Sequence, residues 1–143
     1  MSQYIINWNI DGYFSHINEL NLLIDTYDPY IINFNETKFK FAFVPSHNKY
    51  DFYFKNKLAI NNVASGGVAT AVNKQFFSKR IYLNTHLQVV AVLIAFPIEF
   101  VLLNIYLPIT DIISVEILTD LIDQMPQNIP VMICGDFNAH NTL

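Results

Sequence analysis

The sequence has little cysteine, little positive charge and no long hydrophobic run. Its single cysteine, Cys134, lies inside an apolar stretch, which predicts a small buried side chain and excludes an internal disulfide framework. Lysine and arginine together number 8, against 12 acidic residues. The net charge of −4 argues against an extended nucleic-acid-binding surface, because phosphate contacts need basic side chains. It does not exclude an enzyme that holds phosphate through a metal ion.

Membrane-spanning, targeting and nucleotide-binding signatures are also missing. The longest apolar run, Val89 to Ile98, has ten residues, which is too short to span a bilayer. The first residues do not combine a basic region with a long apolar stretch, so we expect neither a secretory signal nor a membrane partner. Neither glycine-rich nucleotide-binding motif is present, which disfavours a nucleotide-binding domain.

The sequence does contain enough apolar surface for one folded domain. Its 143 residues are 52% hydrophobic and 14% charged, so a sizeable core is expected and disorder is not. A strand over Tyr4 to Asn9, a helix from about Phe14 to Tyr27 with Ser15 as its cap, and a strand over Tyr30 to Glu36 follow in order. This order predicts a right-handed crossover and a parallel pair, with the apolar first strand in a central position.

The rest of the chain continues the α/β pattern. Two apolar strands separated by a hairpin-length connection, Leu87 to Phe96 and Phe100 to Tyr106, predict an antiparallel pair. A helix from about Asp111 to Gln124 precedes the last predicted strand, a buried one with the apolar residues Val131 to Cys134. The other predicted strands are Tyr50 to Phe54, Val68 to Val72 and Arg80 to Leu83. The predicted helix that begins near Asp111 carries five apolar residues on one face, Ile112, Val115, Leu118, Leu121 and Ile122.

Polar side chains follow several of these apolar strands, at the edge where α/β sheets bind ligands. They are Asn9, Glu36, Tyr106, Asp136 and Asn138. The two acids are hard oxygen ligands of the kind that Mg²⁺ prefers, the two asparagines can orient a phosphate or a water molecule, and the tyrosine can donate to a developing oxyanion. The last two residues are two positions apart, so they share one face if the segment is extended. The set suggests metal-assisted attack of water on a phosphate ester.

Five motifs in this order resemble the endonuclease/exonuclease/phosphatase superfamily, and most closely the apurinic-type endonuclease domain of non-LTR retrotransposons. No single motif is specific, but the series is. It comprises Trp8-Asn9, Asn35-Glu36-Thr37-Lys38, Ser65-Gly66-Gly67-Val68-Ala69, Asn104-Ile105-Tyr106-Leu107-Pro108 and Gly135-Asp136-Phe137-Asn138-Ala139-His140. The resemblance implies a four-layer α/β sandwich with two sheets packed face to face.

The resemblance also implies a role for each strand-end residue. Glu36 would be the main metal ligand, with Asn9 and Asp136 completing the protein part of a Mg²⁺ site that could also take Mn²⁺. Tyr106 would contact the scissile phosphate. Asp136 would orient or deprotonate the attacking water, and Asn138 would bind phosphate or position that acid. The implied partner is DNA, nicked to leave a 3′-hydroxyl that primes a reverse transcriptase domain of the same polyprotein, which would require access to the nucleus.

Two departures from the family pattern bear on activity. Ile109 follows the Tyr-x-Pro element where many relatives carry an asparagine. The family's later acidic residue and its Ser-Asp-His element have no counterpart, and His140 belongs to the preceding motif. We therefore expect residues 1–143 to be a C-terminally incomplete domain with reduced or no nicking activity. The alternatives are a catalytically dead remnant or interaction module, and a phosphatase or phosphodiesterase of the same superfamily that acts on lipids or small molecules.

Overall fold

The computed structural model describes residues 4–57, 61 and 63–139, and this part of the chain forms two four-stranded sheets and two α-helices. His140 lies outside the described residues. The helices are α1 (Ile17–Tyr27), which follows a turn of 3₁₀ helix at Tyr13–His16, and α2 (Val115–Asp123). The strands are β1 (Ile5–Asn9), β2 (Ile31–Asn35), β3 (Tyr50–Lys55), β4 (Val68–Asn73), β5 (Phe77–Ile81), β6 (Gln88–Ala95), β7 (Glu99–Tyr106) and β8 (Val131–Asp136).

The first sheet has the strand order β1-β2-β4-β3 and the second has the order β5-β6-β7-β8. The predicted parallel pairing of the first two strands is confirmed, as is the antiparallel hairpin of β6 and β7. The register aligns Asn9 with Asn35 at the end of the first pair. In the second sheet β7 and β8 are parallel, and Tyr106 is aligned with Asp136. Within each sheet, the strand ends that carry the predicted site residues therefore lie next to each other.

The two sheets pack face to face, and each outer face is covered by a helix, so the predicted four-layer sandwich is confirmed. Strand alternation produces this arrangement, because successive side chains point to opposite faces. On β2, Ile31 packs between the sheets, whereas Ile32 and Phe34 pack under α1. On β7, Leu102 packs between the sheets and Leu103 packs under α2.

Each helix uses a narrower apolar stripe than its sequence suggests. Leu20 and Ile24 are the buried residues of α1. The prediction that Ser15 caps this helix is wrong, because α1 begins two residues later and has no side-chain cap. The N-terminus of α2 is capped instead by Ser114, whose hydroxyl accepts from the backbone N–H of Ile117 at 3.3 Å. Of the predicted α2 face, Ile112 and Val115 are exposed, and Ile112 lies before the helix begins at Val115. None of the described helices is long and apolar enough to cross a membrane.

Two strands predicted to be buried lie at sheet edges. Among the described residues β1 pairs only with β2, and β8 pairs only with β7, so the prediction of a central first strand is wrong. Met132 and Ile133 on β8 are 44% and 40% exposed, and Cys134 is only partly buried. Apolar runs predict strands well, but they do not say which strands have neighbours on both sides.

Buried asparagines join the sheets directly beneath the predicted site. The Nδ2 group of Asn104 donates to the carbonyls of Phe34 at 3.2 Å and Ala69 at 2.9 Å. Its Oδ1 atom accepts from Nδ2 of Asn35 at 3.0 Å, and both asparagines are fully buried. An unpaired buried amide nitrogen is costly, so these contacts favour one position of β7 against β2 across the two sheets. The residues that follow, Glu36 and Tyr106, are thereby held at a defined separation.

Candidate active site

Glu36 follows β2 in a left-handed backbone conformation, with φ of 53°. Its flanking backbone is held by the Gly66-Gly67 turn, whose carbonyls accept from the N–H of Lys38 at 2.8 Å and of Thr37 at 3.2 Å. Its own carbonyl accepts from the N–H of Gly12 at 2.9 Å. A non-glycine residue in this conformation is strained and persists only when its surroundings hold it there. Strain of this kind is often found at functional sites, so the conformation is consistent with the prediction that Glu36 is a site residue.

Four of the five predicted site residues share one hydrogen-bonded cluster. Asn9 Nδ2 donates to Glu36 Oε1 at 3.0 Å and to Asp136 Oδ2 at 2.8 Å. The hydroxyl of Tyr106 donates to the same Glu36 oxygen at 2.9 Å. The two carboxylates therefore converge on one amide nitrogen, although they come from different sheets and lie 100 positions apart in the chain. Asn9 keeps this orientation because its Oδ1 atom accepts from the N–H of Asp11 at 3.2 Å.

The fifth residue, Asn138, supports Asp136 through its backbone. Its N–H donates to Asp136 Oδ1 at 3.0 Å, and its side-chain Nδ2 donates to the carbonyl of Leu107 at 2.7 Å. Asn138 lies beyond the end of β8 with φ of 44°, so the predicted alternation on an extended segment does not apply to it. This geometry fits the positioning role better than the phosphate-binding role, because the amide nitrogen is already used.

An ion pair that the sequence did not predict lies beside Glu36. Lys38 Nζ contacts the carboxylate of Asp11 and lies 3.9 Å from Glu36 Oε2. Their hydrogen bond lowers the pKa of Asp11 and raises the pKa of Lys38. Both residues have left-handed backbones, with φ of 45° and 49°. Their closeness to the strand-end residues Asn9 and Glu36 in the chain was the one available signal.

Gln88 at the start of β6 is a second residue that sequence reasoning missed. Its Oε1 atom accepts from the N–H of Gly67, and its side chain fills the space that a Cβ atom on Gly66 would need. It therefore links the second sheet to the turn that holds Glu36. Gln88 is nine-tenths buried and is aligned with Tyr106 across the sheet, so it belongs to the same row of residues.

The comparisons with known proteins agree with this arrangement. Residues 6–143 match the Endonuclease/Exonuclease/phosphatase family. The chain belongs to this family. No curated protein gives a significant match to the sequence.

Solved structures show the family's fold in this chain. A 3′-5′ exonuclease (NExo) from Neisseria meningitidis has a TM-score of 0.70 and 16% identity, over 93% of this chain and 57% of the exonuclease. An AP endonuclease from Archaeoglobus fulgidus has a TM-score of 0.64 and 18% identity, over 93% of this chain and 56% of the other. A 3′ phosphatase NExo from Neisseria, bound to product DNA hairpin, has a TM-score of 0.53 and 16% identity, over 71% of this chain and 40% of the other. The chain thus spans a little over half the length of the first and second of these proteins.

Enzymes of the endonuclease/exonuclease/phosphatase family generally depend on a divalent cation. The described residues contain no cluster of three or more His, Cys, Asp or Glu side chains that could hold a metal ion. Glu36 and Asp136 nevertheless supply two carboxylates within one cluster, and Mg²⁺ sites in proteins commonly use one or two carboxylates with water. Asn9 presents its nitrogen to these carboxylates, and its oxygen accepts from the N–H of Asp11, so in this arrangement it orients the two acids. That Asn9 also ligates the metal stays a prediction. Glu36 and Asp136 are therefore the two described carboxylates of this cluster that would hold a divalent cation, with water as the remaining ligands.

The phenol of Tyr106 is placed to remain protonated. Burial raises its pKa well above the ordinary value, and the hydrogen bond to Glu36 and the charges of Glu36, Asp136 and Asp11 raise it further. In the unfolded chain a tyrosine has a pKa near 10. The folded state therefore keeps a proton that the unfolded state loses above about pH 10. This contribution to stability is complete below that pH and is lost as pH rises through the folded pKa.

We expect Tyr106→Phe to remove this pH dependence. Between about pH 9 and pH 11 the free energy of unfolding should fall more steeply for the wild type than for the variant, because the variant has no phenol to ionise. Urea unfolding at about pH 9, 10 and 11 measures both curves. Burial also raises the pKa values of Tyr13 and Tyr50, but both proteins retain these residues. Curves that stay parallel over this range would contradict the predicted pKa shift.

Proposed function

We propose that this chain is the DNA-nicking part of a divalent-metal-dependent phosphodiester hydrolase, of the kind that precedes reverse transcriptase in non-LTR retrotransposons. The observation that carries the proposal is the convergence of Glu36, Asp136 and Tyr106 on one polar cluster at the ends of three strands. Families of this fold place ligands at strand ends. The series of five motifs, three of which contain these residues, supports the DNA endonuclease branch.

Each residue has a chemical role in hydrolysis that follows from its contacts. Glu36 would ligate Mg²⁺ or Mn²⁺ with Asp136 nearby, and the cation would supply charge stabilisation to the phosphate when bound. Tyr106 keeps its proton and can donate a hydrogen bond to a phosphate oxygen. Asp136 accepts from Asn9 on one oxygen and from Asn138 on the other, which fixes the carboxylate plane. A carboxylate fixed in this way can orient an attacking water and accept its proton.

DNA is the partner that we propose for this site. One of the similar structures, a 3′ phosphatase from Neisseria, is bound to a product DNA hairpin, which supports nucleic acid as the substrate class. The negative net charge of the chain makes the contact region small and local, since only 8 basic residues are available. A reverse transcriptase domain in the same polyprotein, and access to nuclear DNA, are parts of the same proposal that rest on the motif series alone.

A second candidate function is phosphatase activity on a 3′-terminal phosphate. It is favoured by the same DNA-bound structure, which is that of a 3′ phosphatase. The chemistry at the cluster would be the same, because water again attacks a phosphorus atom. The difference would lie in whether the bond broken is internal to a strand or at its end.

Nicking of supercoiled plasmid by the purified chain tests the proposal. We expect conversion to the open circle with Mg²⁺, no conversion with a chelator, and a large loss in Asp136→Asn. A parallel assay with a 3′-phosphorylated oligonucleotide tests the second candidate. Release of phosphate without nicking would favour the phosphatase. A chain that melts cooperatively but shows neither activity would identify it as catalytically inactive and would reject both candidates.

A further inference from the structure

Two cationic side chains lie together on the inner face of the sandwich, away from the Glu36 cluster. Lys55 ends β3 and donates to the carbonyls of Thr85 at 2.8 Å and Leu87 at 2.7 Å. Arg80 on β5 donates to the carbonyl of Phe54 at 2.8 Å. Both cations are partly buried. We call Lys55 and Arg80 the cationic pair.

The charge of the cationic pair is not balanced by acidic side chains. Lys38 and Lys49 form salt bridges with carboxylates, but no described salt bridge involves Lys55 or Arg80. Burial and the nearby charge of Arg80 both lower the pKa of Lys55. Placing two partly desolvated positive charges together is unfavourable. The backbone carbonyls that accept from them offset part of this cost, and a bound anion would offset more. Arg80 still has unused guanidinium donors, and lysine carries three donors of which two are used.

A cavity of about 140 Å³ adjoins the pair and gives an anion room. It is lined by Lys55 and Arg80 together with Tyr82, over whose ring the guanidinium lies at 5.2 Å. A water molecule occupies about 30 Å³, so this volume holds several waters or one phosphate group. The guanidinium is fixed by the Phe54 carbonyl on one side and the aromatic ring on another, which is a preorganised arrangement for a phosphate.

The register connects the cationic pair to the candidate active site. Lys55 is aligned with Val68, Val68 with Asn35, and Asn35 with Asn9, so one row crosses the whole first sheet. Neighbouring strands are about 4.8 Å apart, so Lys55 lies roughly 10–14 Å from the cluster and at the same end of the sheet. For a duplex whose axis runs along this row, each nucleotide rises about 3.4 Å, so this separation corresponds to about three or four nucleotides.

We propose that Lys55 and Arg80 form a second phosphate site, which contacts the DNA backbone about three or four nucleotides from the scissile bond. The inference rests on the proposed nuclease function and extends it by naming a contact outside the catalytic cluster. The ligand is a phosphodiester group of one DNA strand. Such contacts determine register and affinity without reading sequence.

The salt dependence of duplex DNA binding, measured with a chelator present so that no cleavage occurs, tests the site. Loss of one phosphate contact should reduce the slope of log K against log salt by about one. Because Lys55 and Arg80 share one phosphate, we expect a decrease of up to about one for Lys55→Gln and for Arg80→Gln. Lys79→Gln is the matched control, because Lys79 is exposed and lies next to Arg80 on the opposite face of β5. We expect it to leave the slope unchanged. Lys55→Arg and Arg80→Lys, which keep the charge, should largely retain it.

A neutral backbone linkage locates the contact on the DNA. We place one uncharged methylphosphonate three or four nucleotides from the nick. Wild type should bind this DNA less tightly than unmodified DNA, by about the factor that Arg80→Gln loses on unmodified DNA. Arg80→Gln should bind both DNAs equally. Equal slopes in wild type, Lys55→Gln and Arg80→Gln would overturn the proposal even if plasmid is nicked. Plasmid that is not nicked, with slopes that still differ as expected, would reject the nuclease function alone.

An NMR measurement on the wild-type chain tests the proposal even if the variants do not fold. In ¹⁵N-labelled protein, the Arg80 side-chain N–H resonance should shift when a short duplex is added at micromolar concentration. A shift with millimolar inorganic phosphate but none with DNA would show an anion site that is not a DNA contact and would overturn the proposal. No shift with either ligand would overturn it as well.

Discussion

Glu36→Gln is expected to lower the rate of Mg²⁺-dependent nicking by roughly 10²–10⁴-fold, the range typical of groups that act directly on the transition state. Glutamine has nearly the same size as glutamate and can still accept from Tyr106 and Asn9 at Oε1. It lacks the negative charge and the second ligand oxygen that a hard cation requires. The variant therefore separates charge from shape at the centre of the cluster.

The stability of the same variant should change little. Removing one of two carboxylates that converge on Asn9 relieves repulsion between like charges, while the contact of Glu36 with Lys38 at 3.9 Å is long and partly exposed. Nicking rates and thermal unfolding should be measured together. Glu19→Gln is the matched control, because Glu19 is exposed on α1 and contacts no site residue. We expect it to leave the nicking rate unchanged and to lower stability by less than about 1 kcal/mol, because Glu19 lies in the first turn of α1.

A second measurement separates metal binding from the chemical step. Mg²⁺ that binds only the folded state raises the melting temperature by mass action. We expect this shift in the wild type and in Glu19→Gln, and its loss in Glu36→Gln. Full nicking activity in a folded Glu36→Gln protein would remove Glu36 from the active site. A retained Mg²⁺ shift with lost activity would instead place the metal on other residues.

Local pattern predicted the α/β order and the strand ends well, because both depend on short-range physics. Apolar runs bounded by polar residues mark strands, and a strand-helix-strand order implies a parallel pair. Asn9 and Glu36 could therefore be assigned to neighbouring strand ends from the sequence alone. Asp136 belongs to the other sheet, so its position beside Asn9 and Glu36 depends on how the two sheets pack against each other. The family resemblance predicted this stacking, whereas the spacing of the residues did not.

Contacts between distant segments were the part that sequence reasoning missed. Asp11 and Lys38 pair across 27 positions, and Gln88 reaches Gly67 across 21. Nothing in the local composition distinguishes such a lysine from a solvated one. The edge positions of β1 and β8 were missed for a related reason, because an apolar strand pattern does not reveal how many neighbours the strand has.

The sequence also did not predict which residues have a left-handed backbone conformation. Asp11, Glu36, Lys38 and Asn138 all have positive φ and all lie within or beside the cluster. Asparagine and aspartate tolerate this conformation, but glutamate and lysine do not favour it. Glu36 was selected as a candidate by its position after an apolar strand, and the family resemblance of the Asn35-to-Lys38 motif supported it. Its physical peculiarity, a strained turn that aims the Glu36 carboxylate, became visible only in three dimensions.

Gly135→Ala is expected to have a large effect on both stability and activity, because β8 passes very close to β7 at this residue. Gly135 has φ of 139°, which side chains rarely adopt, and a Cβ atom there would overlap the carbonyl oxygen of Ile105. The clashing group is backbone of the parallel partner strand, one pair before the end of the ladder, so it cannot move aside without breaking the pairing of Ile105 with Gly135. Combined backbone strain and overpacking should cost about 2–4 kcal/mol of unfolding free energy. For a chain of this length that corresponds to roughly 10 °C in melting temperature.

The effect on activity follows from the next residue along β8, Asp136. Any displacement that relieves the clash must move the strand end that carries this carboxylate, and a shift of about 1 Å in a catalytic group can cost on the order of 10²-fold in rate. Gly12→Ala isolates the cause. Gly12 also has a positive φ, of 110°, but the nearest atom to an added Cβ is Ser15 Oγ at 3.7 Å, so only backbone strain is introduced.

Thermal melts and nicking rates of Gly135→Ala and Gly12→Ala, measured in parallel, separate the two contributions. We expect Gly12→Ala to lose about 1 kcal/mol, since it pays the conformational penalty without a clash. Gly135→Ala should lose more stability and should lose activity even at temperatures where it is fully folded. Equal losses of stability in the two variants would mean that close approach of β8 to β7 contributes nothing beyond the glycine backbone. Normal nicking by folded Gly135→Ala would show that the position of Asp136 tolerates movement of its strand, which is incompatible with Asp136 as the residue that orients the attacking water.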